Sequence, residues 1–464
     1  MFFVSIFTGW LLSASFAPIE RWYLAPIAIS LWIWILHSGK KSLRHTFLIA
    51  FTFNAFLLHW SSTYVGNIPW LILCLGESLF FLPLAWARKK RIVFFPAIFL
   101  FLEHIRSIFP FEGFAWGRLA FGQADAPYRE VVAIGGVSLL TSFVTCIGIT
   151  LFFIKRQIKI SAIFASVVTL LLLSITVSPS MQSTGNFKSL LVQGNVPQLG
   201  LDFNSRAQAV FQMHIKETKR AIQDTPDYDL IIWPENSVDV DPFKNGDVRA
   251  SLSSLNKETR RPIVIGAVLS SDKQIENASI LWENGALSTY IKQHLTPFGE
   301  YIPLRSIAQK ISPFVDDVQD FTPGTRDVIH KVDNAFLGPI ICYELIDDSY
   351  INRISRQSNL LVVQTNNATF GTSAQSRQQL SISRIRAIEN HRDLVSVSTT
   401  GISAVIDSQG NIVKSTTSNQ PDHLFANSKL YSGQSVANKL GNWAFWLTLM
   451  GLGILGFVSR RLYS

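Results

Sequence analysis

Cysteine is scarce in this sequence: the 464 residues include only three, Cys74, Cys146 and Cys342. Cys74 and Cys146 lie inside long apolar runs, so Cys342 has no obvious partner for a disulfide. The nine histidines show no metal-ligand spacing, and no glycine-rich phosphate-binding loop is present. We therefore predict no metal site and no cofactor. Tandem repeats and low-complexity tracts are absent as well.

Long apolar runs, by contrast, are abundant in the first 180 residues and return near the C-terminus. Eight of them approach the ~20 residues that a helix needs to cross a bilayer. They cover residues 2–18, 23–37, 46–65, 68–87, 92–109, 131–154, 160–178 and 442–459. No basic residue precedes the first run and further apolar runs follow it at once, so we expect it to be retained rather than cleaved as a signal peptide.

Basic residues are concentrated beside these runs. Four clusters, at 40–44, 88–91, 155–159 and 460–461, hold twelve lysines and arginines and no acidic residue. With eight spans, all four clusters lie on one side of the membrane, which the positive-inside rule assigns to the cytoplasm. The net charge of +9 therefore reflects membrane topology, and nucleic-acid binding is excluded.

This topology predicts three segments. Residues 1–180 form an N-terminal membrane domain with seven transmembrane helices. Residues 181–440 form a domain outside the cytoplasm, in the periplasm if the chain lies in a bacterial inner (cytoplasmic) membrane. Residues 441–464 form a last transmembrane helix and a cytoplasmic tail. Within the fifth span, Glu103 and Arg106 are three residues apart on one helical face and are expected to pair with each other.

Between residues 187 and 415 the pattern changes to short β-rich runs that alternate with amphipathic helices. The predicted strands are 188–196, 228–233, 262–269, 288–294, 336–343, 359–365, 394–399 and 404–407. The predicted helices are 205–222 and 373–389, the second with Thr372 or Ser373 as its N-cap. Several strands are apolar throughout, which indicates sheets covered on both faces. We predict a layered α/β domain of about 230 residues, large enough for its own core.

Polar residues gather where three of these strands end. Glu235 follows an apolar strand in YDLIIWPENS, Lys292 lies on the strand of YIKQHLTPFGEYIPL, and Cys342 ends the strand of GPIICYE. A carboxylate can take the proton of a thiol, and a fixed ammonium can stabilise the oxyanion that forms when the sulfur attacks a carbonyl group. Cys342 is therefore a candidate nucleophile. The alternative is that Cys342 is a buried small hydrophobic residue.

Three further residues bear on this candidate site. Glu300 lies in the turn after Lys292 and Glu344 lies two residues after Cys342, so either carboxylate could hold the ammonium in place and charged. His294 leaves a cysteine–histidine dyad open as an alternative. The WPE and PFGE contexts favour a carboxylate as the base.

These contexts resemble those of a known family. WPEN, K-x-x-L-x-P-F-G-E-Y-x-P and CYE are similar to the Glu–Lys–Cys motifs of the nitrilase superfamily. Together with the eight apolar runs they resemble apolipoprotein N-acyltransferases, the membrane-embedded branch of that superfamily. Weaker matches extend over nearly the whole length, among them SFAP at 15–18, GFAW at 113–116 and VQGN at 192–195.

The resemblance implies a fold and a set of roles. The fold would be a multi-pass α-helical membrane bundle of about eight spans plus a nitrilase-like αββα sandwich, which would be the catalytic domain. Glu235 would be the general base, Lys292 the oxyanion stabiliser and Cys342 the nucleophile. Supporting and substrate-binding roles would belong to Glu300, Tyr343, Glu344, Asn366 and Arg392.

The implied reaction has two steps. Cys342 takes an acyl chain from a phospholipid, which leaves a thioester on the enzyme and releases a lysophospholipid. The α-amino group of an S-diacylglyceryl-cysteine on an apolipoprotein then attacks the thioester and becomes acylated. Phospholipid, apolipoprotein and the bilayer are the implied partners. The reaction needs no ATP, which suits the periplasm.

The chain departs from the family's pattern at three places. Asn367 and Thr369 stand where the family commonly has Asp and Trp, and Gln379 stands where it has His. The Lys-Trp pair that usually follows the first strand is missing near Gly200 to Asp202. We expect these departures to affect the preference for donor and acceptor more than the chemistry.

The sequence leaves two alternatives to acyl transfer, a hydrolytic enzyme and a transporter or receptor. A membrane-tethered nitrilase-type amidase would hydrolyse a small amide and would need a site open to water, whereas an acyltransferase excludes water from its thioester. A transporter or receptor with an outer binding domain would show discontinuous or duplicated spans, which are not seen, and would leave the three motifs unexplained.

Overall fold

The chain divides into two compact units in the computed structural model, which describes residues 1–176, 181–196, 208–223, 227–271, 274–310, 315 and 319–463. One unit comprises Met1–Ser180 together with Ser435–Ser464, and the other comprises Met181–Gln434. The positions near Gly200 to Asp202, where the family's Lys-Trp pair is missing, lie outside the described residues.

Helices make up the first unit. Each of the eight predicted apolar runs overlaps one, and short helices lie at Ser62–Val65 and Val436–Leu440. The eight are Phe2–Ser13, Leu24–His37, Ser42–Leu57, Asn67–Leu79, Phe95–Ile108, Val132–Phe153, Ile158–Thr176 and Trp443–Arg461. Among the described residues, four helical stretches are long and apolar enough to cross a membrane: Asn67–Trp86, Arg129–Phe153, Ile158–Thr176 and Trp443–Arg461.

Buried ion pairs join segments of this unit that are distant along the chain. Arg106 Nη1 lies 2.9 Å from Glu77 Oε2. Arg118 Nε lies 3.5 Å from Glu103 Oε2, which also accepts a hydrogen bond of 2.8 Å from the Thr141 hydroxyl. The prediction that Glu103 pairs with Arg106 is therefore wrong. Buried charges need several polar partners at once, and a neighbour on the same helical face supplies fewer of them than the surrounding helices do.

The second unit contains, in its described residues, two six-stranded sheets. The strands are β1 (Ser183–Gln193), β2 (Leu230–Ile232), β3 (Ile263–Ser270), β4 (Ile275–Trp282), β5 (Ala286–Ile291), β6 (His330–Val332), β7 (Ala335–Ile341), β8 (Leu360–Thr365), β9 (Leu394–Ser398), β10 (Ala404–Ile406), β11 (Ile412–Ser415) and β12 (Asp422–Tyr431). The sheets have the orders β12-β1-β2-β3-β4-β5 and β11-β10-β9-β8-β7-β6. Their centres are parallel, β1–β2–β3 in one and β7–β8–β9 in the other.

The two sheets pack face to face through an apolar core. It contains Ile232 and Val264 from one sheet and Val362 and Val397 from the other. Helices cover the outer faces, at Ala209–Ala221, Gly246–Thr259, Asp348–Gln357 and Gln375–Asn390, and a single helical turn lies at Arg305–Ala308. Apolar runs such as LIIW and LLVVQ form strands here because both of their faces are covered. The αββα sandwich that the resemblance implied is therefore confirmed.

Element boundaries and some elements differ from the sequence prediction. All eight predicted strands are present, but β4, β6, β11 and β12 were missed, as were the helices Gly246–Thr259 and Asp348–Gln357. β4 was missed because its first half, Ile-Glu-Asn-Ala-Ser, lacks a continuous apolar pattern. The N-cap prediction was wrong too: the helix Gln375–Asn390 has Ala374 at its N-cap, without a side-chain hydrogen bond.

Candidate active site

The candidate site lies in the second unit, where strands of both sheets end. Glu235 follows β2, Lys292 follows β5 and Cys342 follows β7. β4 contributes a further side chain, Asn277, which the sequence analysis did not single out. Glu235 and Cys342 follow strands that pair in parallel, whereas Asn277 and Lys292 come from the antiparallel pair β4–β5 at one side of the first sheet. In layered α/β folds, sites are assembled at such strand ends.

A glycine on the neighbouring strand positions Glu235. A Cβ atom at Gly266 of β3 would lie 2.3 Å from the Pro234 carbonyl oxygen and 2.6 Å from the Cα of Glu235, so only glycine admits this turn. The Ser237 hydroxyl donates to the Gly266 carbonyl oxygen at 3.1 Å. Trp233, before the turn, is fully buried. The WPEN segment is therefore held against β3 on both sides of the carboxylate.

Lys292 lies between two carboxylates. Its Nζ is 2.7 Å from Glu300 Oε2 and 3.5 Å from Glu235 Oε1. The Asn277 Nδ2 donates to Glu235 Oε1 and to Glu300 Oε1, each at 2.8 Å, and so bridges the two carboxylates. The backbone N–H of Asn366 donates to the other Glu235 oxygen at 2.7 Å. Lys292 is 1 % exposed and Glu235 5 %, so the cluster is nearly closed to water.

Burial and charge separate the roles of the two carboxyl groups. Burial raises the pKa of Glu235, and the charge of Glu300 adds to this effect against the opposing charge of Lys292. Burial acts in the same direction on Glu300, but its close contact with Lys292 dominates and lowers its pKa overall. Burial works against the Lys292 ammonium, yet Glu300 and Glu235 raise its pKa above the ordinary value. The two neighbouring carboxyl groups thus have pKa values shifted in opposite directions, that of Glu235 upward and that of Glu300 downward.

Cys342 follows β7 in a left-handed backbone conformation, with φ near 50°. This conformation is unfavourable for a residue with a side chain and occurs chiefly where the surroundings enforce it. The thiol is partly exposed, and the Gln379 amide donates to its Sγ at 3.6 Å. Burial and the nearby Glu235 carboxylate raise the pKa of the thiol, while the Lys292 ammonium lowers it. The net effect is a pKa above the ordinary value for Cys342, which favours the protonated thiol over the thiolate.

Glu344 holds the backbone around Cys342 in place. Its Oε2 accepts from the Ile341 N–H at 2.8 Å, and its Oε1 accepts from the Gln293 N–H at 2.7 Å and the Tyr290 hydroxyl at 2.5 Å. The side chain is fully buried, and burial raises its pKa to about 7. Glu344 thus connects the end of β5 to the end of β7, whereas the close ion pair with Lys292 is made by Glu300.

The remaining predicted site residues lie in different surroundings. The ring of buried Tyr343 stacks on His294, with centroids 5.4 Å apart. The side-chain oxygen of Asn366 accepts from the Thr399 hydroxyl at 3.0 Å, which fixes the loop that donates to Glu235. Arg392 is not brought to the cluster: its guanidinium donates to the carbonyl oxygens of Ser358 at 2.9 Å and Gly433 at 2.6 Å.

Two residues that contact this site, Asn277 and Gln379, were not among the candidates predicted from the sequence. Asn277 lies on β4, which the pattern did not predict as a strand, and a single asparagine carries no motif. Gln379 was noted only as a departure from the family's pattern. Among the described residues no group of His, Cys, Asp and Glu could hold a metal ion.

Comparisons with known proteins cover both units. Residues 8–150 match the apolipoprotein N-acyltransferase N-terminal domain, and residues 191–437 match the carbon-nitrogen hydrolase family. An apolipoprotein N-acyltransferase of Mycolicibacterium smegmatis is 32% identical, over 93% of this chain and 80% of the relative. One of Shewanella oneidensis is 27% identical, over 96% and 93%.

Solved structures resemble this chain more distantly. Saccharomyces cerevisiae Nit3, a member of branch 10 of the nitrilase superfamily, is 20% identical with a TM-score of 0.42, and the match covers 54% of this chain and 93% of that one. The family assignment therefore depends on the sequence matches, which extend over more than nine tenths of this chain and at least 80% of the two relatives. By these matches, the chain belongs to the apolipoprotein N-acyltransferase family.

Proposed function

We propose that this protein acylates the N-terminal amine of S-diacylglyceryl-cysteine on apolipoproteins, with a phospholipid as acyl donor and a thioester on Cys342 as intermediate. The observation that carries the proposal is the Lys292 ammonium, 2.7 Å and 3.5 Å from two carboxylates beside a cysteine at a strand end. Family membership supports the lipoprotein acceptor, since the curated relatives are named apolipoprotein N-acyltransferases.

In the first half-reaction Cys342 attacks the ester carbonyl carbon of the phospholipid. Glu235 takes the proton from the thiol as the carbon–sulfur bond forms, and the ammonium of Lys292 stabilises the oxyanion. When the tetrahedral intermediate collapses, the carbon–oxygen bond of the ester breaks. The departing glycerol oxygen takes the proton from Glu235, so that a lysophospholipid leaves and the acyl chain stays on sulfur.

In the second half-reaction the α-amino group of the diacylglyceryl-cysteine attacks the thioester carbon. Glu235 accepts a proton from the amine, and Lys292 again stabilises the oxyanion. Collapse breaks the carbon–sulfur bond, and the sulfur takes the proton back as the amide forms. The same base and the same oxyanion contact serve both halves, and the free thiol is regenerated.

The neighbours of these residues keep the ionic state suited to this chemistry. Glu300, with its lowered pKa, keeps Lys292 charged while Glu235 changes between its protonated and ionised forms. Asn277 donates to both carboxylates and limits the repulsion between them. A preorganised donor set of this kind stabilises a developing charge without reorganising during the reaction.

We further propose that eight helices span the bacterial inner membrane and that the catalytic domain, residues 181–440, faces the periplasm. The four basic clusters support this orientation by the positive-inside rule. Both proposed substrates are anchored in the bilayer, so an enzyme anchored in the same bilayer meets them without extracting either. The match of residues 8–150 to an acyltransferase N-terminal domain favours acyl transfer over a tethered amidase.

Acyl labelling of the full-length protein tests the proposal. Incubation with a phospholipid labelled in its acyl chain, followed by denaturing electrophoresis, is expected to leave a label on the protein that hydroxylamine removes. Cys342→Ala should carry no label, and addition of a diacylglyceryl-cysteine peptide should discharge the label from the unaltered protein onto the peptide amine. Label retained in Cys342→Ala would contradict the mechanism.

A further inference from the structure

A network of amide side chains lies beside Cys342. Asn367 follows β8, while Gln375 and Gln379 lie in the first two turns of the helix Gln375–Asn390, and all three are buried. The Gln379 Nε2 lies 3.6 Å from the Sγ of Cys342, within hydrogen-bonding distance for sulfur. Two of the departures noted in the sequence, Asn367 and Gln379, are thus neighbours in the structure.

The hydrogen bonds at Asn367 set the direction of the whole network. The Gly401 N–H donates to the Ser398 hydroxyl at 2.8 Å, and that hydroxyl donates to Asn367 Oδ1 at 2.5 Å. The Thr365 hydroxyl donates to the same oxygen at 2.8 Å. Because Oδ1 accepts two hydrogen bonds on this side, the amide nitrogen of Asn367 faces the helix and has two N–H groups to donate.

Those two N–H groups decide how Gln379 is oriented. The Asn367 Nδ2 donates to Gln375 Oε1 at 2.5 Å and to Gln379 Oε1 at 2.9 Å. Since the Gln379 oxygen is occupied as an acceptor by Asn367, its amide nitrogen has to face the other way, toward Cys342. Asn367 therefore determines how the Gln379 amide faces the sulfur, through a hydrogen bond to Gln379.

We propose that Gln379 is a positioning residue for the nucleophile. The hydrogen bond from Asn367 orients the amide N–H of Gln379 toward the Sγ of Cys342, where it orients the thiol and favours the thiolate. A donor on one side of the sulfur directs the thiol's own proton to the opposite side, where it can pass to a base. It also stabilises the negative charge on sulfur when that proton leaves. The inference rests on the proposed function in that Cys342 is the nucleophile.

Substitution of either residue tests the proposal. Gln379→Met keeps the length of the side chain and removes the donor. Asn367→Asp keeps the acceptor for Ser398 and Thr365 but removes both N–H groups, so the Gln379 amide is expected to turn its oxygen toward the sulfur. Ser383→Ala is the control, because the hydroxyl of this buried serine of the same helix donates to the backbone carbonyl of Gln379 and not to its amide side chain.

The readout is the rate at which iodoacetamide alkylates Cys342 as a function of pH, followed on the Cys342 peptide by mass spectrometry. The charged groups that act on the sulfur, Glu235, Lys292 and Glu300, are unaltered in both variants. The carboxylate added in Asn367→Asp acts on the thiol in the same direction as loss of the donor, so Gln379→Met, which adds no charge, measures the donor by itself. Both variants are expected to move the midpoint to higher pH and to slow alkylation about tenfold at a fixed pH below it. The control should follow the unaltered protein.

Two outcomes would overturn the proposal. One is a Gln379→Met profile that superimposes on that of the unaltered protein, which would make Gln379 a packing residue. The other is an Asn367→Asp profile without a shift, which would refute the control of the Gln379 orientation by Asn367. Alkylation needs no phospholipid, so a shifted profile in a protein that forms no acyl-enzyme would contradict the proposed function while the positioning role stands.

Discussion

The ammonium of Lys292 lies 2.7 Å from the carboxylate of Glu300, in a cluster that is nearly closed to water. This contact raises the pKa of Lys292 and lowers that of Glu300. An ammonium that is to stabilise an oxyanion has to stay charged after burial, and burial alone would favour its neutral form. The ion pair with Glu300 therefore keeps Lys292 charged in this buried cluster.

Glu300→Gln is expected to slow thioester formation on the order of 100-fold and to move the alkaline limb of its pH profile to lower pH. The sign follows from the ion pair: removal of the negative charge lowers the pKa of Lys292, so the ammonium is lost earlier as the pH rises. The measurement is acyl-enzyme formation against pH. Glu276→Gln, near the start of β4, is the control, and an unchanged alkaline limb in Glu300→Gln would refute this role.

Asn277→Asp is expected to move the acid limb of the same profile to higher pH. The substitution removes the N–H groups that bridge Glu235 and Glu300 and adds a third carboxylate, which raises the pKa of Glu235 further. More of the base is then protonated at neutral pH. Ser279→Ala, on the same strand and bonded to His330, should leave the limb in place. If the acid limb is also unchanged in Asn277→Asp, then Asn277 does not control the pKa of Glu235 by bridging the two carboxylates.

Gly266→Ala is expected to abolish thioester formation and to destabilise the domain by about 1–3 kcal/mol, because the new Cβ overlaps the turn that carries Glu235. The matched control is Gly246→Ala, where a Cβ meets nothing within 4 Å and the helix gains up to about 1 kcal/mol. Thermal unfolding and acyl labelling of both variants measure the contrast. Full labelling of Gly266→Ala would show that the turn tolerates the displacement.

The pH dependence of stability is expected to carry a contribution from Glu344. Its pKa is raised to about 7 in the folded protein, above the ordinary value of 4.5, so this contribution is fully present below about pH 4.5 and is lost as the pH rises through about 7. The change is on the order of 3 kcal/mol. Glu344→Gln should flatten the unfolding temperature across this window, and an unchanged slope in the variant would assign the dependence to other groups.

Arg392→Met is expected to lower the unfolding temperature while the folded fraction still forms the thioester at close to the normal rate. The guanidinium donates to backbone carbonyl groups of Ser358 and Gly433, and its loss removes both hydrogen bonds, including the donor to the carbonyl group of buried Ser358. Acyl labelling normalised to folded protein separates the two effects. A rate reduced as strongly as in Glu300→Gln would place Arg392 in substrate binding after all.

Much of this protein was predictable from local sequence patterns. The apolar runs predicted a helix in each of eight places, because the length and polarity of a run bear directly on helix formation in a bilayer. The positions of Glu235, Lys292 and Cys342 at strand ends followed from apolar strands bounded by polar motifs. The αββα layers followed from the resemblance together with strands that are apolar on both faces.

Contacts between distant segments were not predictable in this way. Glu103 and Arg106 looked like a pair because they are close along one helix, yet each is paired with a residue from elsewhere in the chain. Asn277 lies on a strand with a polar first half, so neither its strand nor its bridging role left a periodic signal. The resemblance gave Arg392 a supporting or substrate-binding role, although its contacts place it in the packing of the domain.

The sequence by itself determined which residue types are available for the chemistry and where along the chain the helices and strands form, since both depend on local composition and periodicity. Only the tertiary structure decided which carboxylate serves Lys292 and which way the Gln379 amide faces. Those choices depend on distances of a few ångströms, such as the 3.5 Å between Lys292 and Glu235 and the 3.6 Å between Gln379 and Cys342, which lie 37 positions apart. Such distances are set by how the two sheets pack, and no local pattern encodes them.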